Sequence, residues 1–285
     1  MSDTALRIAL LTHSFNPRGG VVHTLELAEA LRALGHAPTV FAPARAGERL
    51  FRAVGVPVER VPLLDAPDAP AAPAADLVAD VGQRIEAFAQ HLQGTGAQHR
   101  FDIFHAHDPI GANALIQLRE RGRVPHVVRT VHHLDVYTQP RLAAWQARGF
   151  LQADQVLCVS TLWQETLRAE HGVQAGLVFN GVDTRRFHPA PGLHDTLLRQ
   201  RLGLDAGTPV VLSLGGIEAR KNTVRLLQAF AQLRSTWPAA RLVVAGGASL
   251  LDHRASAQAF EQALGSLGLR SGPGQAVLVT GPLRR

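Results

Sequence analysis

Val210-Val211-Leu212-Ser213-Leu214, followed at once by Gly215-Gly216-Ile217-Glu218-Ala219-Arg220-Lys221-Asn222, is the stretch that decides how this chain folds. The first five residues form a short apolar run of strand length, and a helical pattern begins at Thr223 and continues to Leu233. Strand, glycine loop and helix in that order are the repeating unit of a parallel α/β sheet. Glycines let backbone approach a ligand closely, and the start of a helix carries partial positive charge. Arg220 adds a planar fork suited to bidentate phosphate contact, and Lys221 a compact point charge. Two cations at a helix start oppose the helix dipole, and a bound anion would relieve that misfit. A solvated polar face accounts for the same residues without a ligand. The loop matches neither a Walker motif nor a GxGxxG fingerprint.

The same alternation runs back to the N-terminus. Arg7 to Leu11 reads as a strand, Thr12 to Gly20 as a loop, and Val22 to Leu34 as an amphipathic helix closed by Gly35. Strands are expected at Pro38 to Phe41, Val58 to Val61, Phe101 to Ala106, His126 to Val131, Gln155 to Val159 and Gly176 to Phe179. Helices are expected at Asp76 to Leu92, Ala112 to Arg121, Leu142 to Leu151 and Leu162 to His171. An Ala/Pro-rich stretch from Asp65 to Ala75 has no periodicity and reads as a surface loop. After turn-like Pro189 to Pro191 the pattern restarts, which places a domain boundary within about ten residues of that point. Strand Arg241 to Ala245, a helix near Ala255 to Leu267 and strand Ala276 to Thr280 complete the second region. Helices between strands imply parallel sheets, with ligands at the carboxyl ends of the strands.

Composition narrows the classes. The chain has 285 residues, enough for roughly two domains at about 150 residues each. With 46% hydrophobic residues it is not a disordered chain. No long apolar run reads as a transmembrane helix, and the first residues lack the basic region of a signal peptide. A single cysteine, Cys158, suits a reducing compartment, so a cytoplasmic location is expected. The charge is split: residues 1–183 carry 16 Arg and 18 Asp or Glu, a balance of −2. Residues 184–285 carry 12 Arg, one Lys and five acids, a balance of +8. That asymmetry points to a localised anion site, whereas nucleic-acid binding lacks its interleaved basic and aromatic residues. Lys221 is the one lysine beside 28 arginines.

Three further loops carry candidate chemistry. Ser14 to Gly20 ends in Gly19-Gly20 before a helix, which suits an anion and equally suits a plain tight turn. In His105-Ala106-His107-Asp108 the two imidazoles are two apart and share a face of a strand. Together with His132, His133 and Asp135 they compose a possible metal cluster of hydrolase type. One packed histidine and one hydrogen-bonded to backbone is the plainer reading. Thr130-Val131-His132-His133 lies just past a strand end, where a histidine can hydrogen-bond a sugar or phosphate.

Taken together and in order, these segments resemble a family 4 retaining glycosyltransferase of the GT-B fold. The resemblance rests on Gly19-Gly20, Phe101 to His107, Thr130-Val131-His132, Val159-Ser160, Asn180-Gly181-Val182-Asp183 with Phe187 and Pro189, Gly215 to Asn222, and Leu242 to Gly246. It implies two Rossmann-like parallel-sheet domains facing a cleft: residues 1–185 binding the acceptor, and residues 186–285 an incomplete domain binding a nucleotide-diphosphate sugar. Arg220 and Lys221 would contact the donor diphosphate and stabilise the leaving group. Gly19, Gly20, Gly215 and Gly216 would lie along the donor. His132 would approach the transferring sugar, with His107 and Asp108 on the acceptor side. The family retains anomeric configuration and requires neither metal nor cofactor, which suits leaving-group stabilisation by preorganised cations.

Two departures qualify this. Where members often place an arginine after the strand-end glycine, Gly216 stands, and Arg220 is expected to take over its role. The family's two glutamates seven residues apart, further downstream, have no counterpart, so roughly a hundred residues of a typical member are expected to be missing. The truncated chain is then expected to be an impaired transferase or a non-catalytic remnant. The competing expectation is a metal-dependent hydrolase using His105, His107, His132 and Asp135.

Overall fold

The computed structural model describes residues 5–63, 75–96, 99–247 and 253–281. The Ala/Pro-rich stretch expected as a loop falls outside them, apart from Ala75, which already opens a helix. The chain divides into two compact units, Met1–Thr184 and Arg185–Arg285.

The first unit contains β1 (Arg7–Leu11), α1 (Gly19–Ala33), β2 (Ala37–Ala44), β3 (Val58–Pro62), α2 (Ala75–Gly94), β4 (Ile103–Ala106) and α3 (Pro109–Glu120). It continues with β5 (Val128–Val131), α4 (Pro140–Leu151), β6 (Gln155–Cys158), α5 (Thr161–His171) and β7 (Gly176–Leu177). The strands form one seven-stranded sheet in the order β3-β2-β1-β4-β5-β6-β7, with all neighbours parallel. Strand β1 is buried on both faces. Ala9 and Leu11 pack with α2 and α3 residues such as Phe88 and Leu115, whereas Ile8 and Leu10 pack with Val21 and Leu25 of α1. Two covered faces explain why β1 reads as a continuous apolar run and not an alternating one.

The second unit contains α6 (Leu193–Arg201), β8 (Val210–Leu214), α7 (Thr223–Thr236), β9 (Arg241–Ala245), α8 (Arg254–Ser266) and β10 (Val277–Gly281). Its sheet is three-stranded and parallel, in the order β10-β9-β8. Leu242 and Val244 of β9 face Leu227, Phe230 and Phe260, while Val243 and Ala245 face Leu204. Strand β8 is an edge, and Leu212 and Leu214 on it are exposed.

Helix α6 was not expected from the sequence, which reads Pro189 to Pro191 as turn-like and names no element between there and Val210. None of its residues is buried, so no apolar face announces it. Its start is instead fixed by the Asp195 carboxylate, which accepts from the Gly192 amide at 2.6 Å. Among the described residues no helix is long and apolar enough to cross a membrane.

Candidate active site

The sheet order of the first unit reverses between β1 and β4, and ligands bind beyond the strand ends at such a switch point. The loops after β1, β4 and β5 deliver to that place the histidines that the sequence singles out, and others that it does not. His105, in β4, sets its Nε2 2.7 Å from Thr130 Oγ1. His107, one residue past the strand, stacks on His105 with ring centroids 4.3 Å apart. Sharing a face thus brings the two rings together, but stacked, with their planes inclined by 29°.

His107 Nδ1 lies 3.2 Å from Nε2 of His132, at the end of β5. His23, from α1, meets the His132 ring edge-on at 4.6 Å. Gly20, one turn earlier on the same helix, comes close to the same ring: a Cβ there would sit 3.6 Å from His132 Cδ2. Asp108 caps α3, its Oδ1 accepting from the Gly111 amide at 2.8 Å. Its Oδ2 has no hydrogen-bond partner, and His13 Nδ1 stands 3.7 Å away. Arg129 is buried beneath the cluster and donates to the Thr130 carbonyl.

Burial sets the charge state. It pushes His105 and His132 down to about 3 and His107 well below its ordinary value, with the neighbouring histidines and Arg129 adding to the effect. His23 is lowered by burial too, against a hydrogen bond to Asn180 that raises it. Arg129 falls to about 10 because burial outweighs the attraction of Asp108. Burial alone would raise Asp108, yet His13, Arg129 and the Gly111 amide hold its carboxyl below the usual range. At neutral pH the place therefore holds uncharged imidazoles beside one carboxylate and one guanidinium.

The hydrolase set expected from the sequence does not assemble. His105 is committed to Thr130, and Asp135 lies against His133, 3.2 Å from its Nε2. The Asp135 backbone is tied to the Gln146 side chain, and its carboxylate accepts from Tyr137. His23, Arg129 and His13 were missed. His23 lies mid-helix and Arg129 within a strand, where a polar residue gives no local sign of facing a site.

Gly19 and Gly20 are the first residues of α1, not a loop ahead of it. Neither has a positive φ, so no tight turn requires them. Arg18 before them makes no side-chain cap. Asp108 and Ser160, by contrast, cap α3 and α5 with their side chains.

In the second unit β8 is followed by Gly215, whose φ of +118° is one that side chains rarely tolerate. Residues Ala219–Lys221 form one 3-10 turn, which Asn222 closes at φ +53° before α7 begins at Thr223. The two cations thus lie in a separate turn ahead of the helix. Lys221 folds back over the strand end, its Nζ donating to the Leu214 carbonyl at 3.3 Å. Arg220 is more than half exposed, with Nη2 3.5 Å from the carboxylate of buried Glu218. A cavity of 310 Å³ lies behind the turn, between Asn222–Val224 and the start of α8, and neither cation lines it. Like α1, α7 has no side-chain cap at its start.

The fold places the chain in a known class, for it belongs to glycosyltransferase family 4, whose model matches residues 17–186. A GDP-mannose-dependent alpha-mannosyltransferase of Mycobacterium tuberculosis is 30% identical over 260 residues, 85% of this chain and 62% of the relative. An alpha-monoglucosyldiacylglycerol synthase of Streptococcus pneumoniae is 28% identical over 179 residues, 58% of this chain and 41% of the relative. The chain thus spans less than two thirds of either relative's length. Among solved structures, Anabaena HepE in complex with UDP and glucose superposes with a TM-score of 0.69 at 19% identity, over 98% of this chain and 70% of that one. Sucrose-phosphate synthase from Thermosynechococcus elongatus does so at 0.69 and 21% identity, over 98% of this chain and 71% of the other. At such identities the likeness is one of fold, and that fold is of the GT-B type.

Proposed function

We propose that this protein transfers a sugar from a nucleotide-diphosphate donor to an acceptor hydroxyl with retention of anomeric configuration, or descends from an enzyme that does. The observation that carries the reading is the turn after β8. There Lys221 and the exposed Arg220 stand together at the carboxyl end of a parallel strand, ahead of an uncapped helix. In the reaction the bond from the anomeric carbon to the diphosphate oxygen breaks. The acceptor oxygen bonds to the same face of that carbon, and the acceptor proton passes to the departing diphosphate. Charge grows on the leaving group, so preorganised cations lower the barrier there. Arg220 and Lys221 are assigned that role, with the Gly215-Gly216 backbone beside them.

Gly19 and Gly20, at the uncapped start of α1, are assigned to the donor as well. His132 is assigned to the transferring sugar. Because burial keeps its pKa near about 3, it would serve as a neutral hydrogen-bonding group and not as a cation. His107 and Asp108 are assigned to the acceptor side, with Asp108 Oδ2 an unsatisfied acceptor there. Neither metal nor cofactor enters the transfer. The GDP-mannose dependence in one relative's name, with UDP and glucose bound in a structure of like fold, makes a sugar nucleotide the class to test.

Calorimetric titration with UDP and with GDP is the test. Micromolar binding of one of them, weakened at least tenfold by Lys221→Ala, is the expected result. Absence of binding by the parent chain would leave a non-catalytic remnant as the better description.

A further inference from the structure

The histidines at the ends of β4 and β5 have a second capacity, separate from sugar transfer. One nitrogen each from His23, His107 and His132 all lie within 4.8 Å of one another. The three come from different elements, α1, the end of β4 and the end of β5, so their spacing is held by the packed sheet and not by one loop. A tetrahedral ion with Zn–N bonds of about 2.0–2.1 Å needs nitrogens roughly 3.4 Å apart. The His107–His132 pair, at 3.2 Å, already has that separation, and a ring rotation of His23 closes the third side. His107 is buried with its Nδ1 turned toward His132, while its Nε2, on the opposite side of the ring, has no hydrogen-bond partner and faces away from the proposed cation.

We propose that His23, His107 and His132 form a binding site for one first-row divalent cation of the zinc class. Supporting chemistry surrounds it. Burial keeps all three rings in the uncharged form that offers a lone pair to a metal. Charge works against the site, since at His132 Arg129 opposes positive charge more strongly than Asp108 favours it, so the ring nitrogens themselves must supply the affinity. Three imidazoles leave a fourth position for water, as in open zinc sites. This is a different set from His105, His107, His132 and Asp135, since two of those are engaged elsewhere. Cation binding does not depend on the transferase reading. One consequence does: because His132 is assigned to the transferring sugar, a bound cation would inhibit transfer.

Cobalt(II) titrated into the chelator-treated chain tests the proposal without reference to activity. One equivalent per chain is expected, with the intense visible absorption of four-coordinate cobalt, bleached when Zn2+ is added. His23→Gln is expected to weaken cobalt binding at least tenfold with an unchanged circular dichroism spectrum. Should that variant not fold, ring-nitrogen NMR of the parent decides. Zn2+ must then shift the resonances of His23, His107 and His132 and leave those of His133 in place. Absence of the cobalt band overturns the proposal, and so does a band that survives His23→Gln but is lost in His133→Gln.

Discussion

Gly246 has no room for a side chain. A Cβ at that position would lie 3.1 to 3.3 Å from the Gly215 backbone, and its φ of +126° is one that L residues seldom adopt. The two strand ends therefore close with Gly246 against the Gly215 backbone, and the Gly215 amide donates to the Ala245 carbonyl at 2.7 Å. Gly246→Ala is expected to destabilise the chain by about 2 kcal/mol, from backbone strain and the forced shift together. Gly207→Ala, which would meet nothing within 4 Å, is the control, expected within about 0.5 kcal/mol. Urea midpoints compared at equal slope read the difference. The Gly215 end of this contact was singled out in the sequence because paired glycines follow an apolar strand. The reason for Gly246 was not visible, since its neighbour lies 31 positions away in the chain and adjacent only in the sheet.

Helices in this protein begin in two ways, and the difference follows what the local residues offer. Ser160 accepts from the Trp163 amide at 3.3 Å at the start of α5, and Asp108 does the same for α3. At α1, α4, α7 and α8 no side chain closes the first turn. Of these, α1 and α7 follow the first strand of each unit, so their first amides fall where an anion would be bound. Ser160→Ala is expected to cost about 1 kcal/mol, and Ser160→Asp to restore most of it, since either oxygen serves the cap. Thermal unfolding of both variants checks this, and equal losses would show that packing and not the cap is at stake. Helix α6 marks the limit of pattern reading. A solvated helix has no buried stripe, and its Asp195 signal is a single residue in a stretch of prolines and glycine.

Over the whole molecule, the buried imidazoles make stability depend on pH. His105 and His132 titrate near about 3 in the folded chain against 6.5 unperturbed, and His107 well below it. Between those values the unfolded chain takes up protons that the folded chain refuses. Stability is therefore greatest above about pH 6.5 and is lost as pH falls toward 3. Asp108, held below its ordinary value, acts in the same direction at the acid end. The melting temperature is expected to be level from pH 8 to about 7 and to fall steadily below about 6.5, more gently in His105→Gln. A melting temperature unchanged between those limits and pH 4 would mean that the histidines are not buried as described.

The sequence by itself determined the order and kind of nearly every element. Apolar runs, helical spacing and turn glycines are local properties, and Val210 to Asn222 alone names the strand–loop–helix unit that the rest repeats. It also placed His107, His132, Arg220 and Lys221 at strand ends, because strand ends are where apolar runs stop. Tertiary structure decided what those residues meet. His23 and Arg129 join the histidines only because β1, β4 and β5 lie side by side, and neutrality of the rings follows from burial by residues distant in the chain. It turned His105 toward Thr130 and Asp135 toward His133, dissolving one metal set and assembling another. A residue's own position along the chain fixes its element, but its electrostatic state and its partners are fixed by the packing of many elements at once.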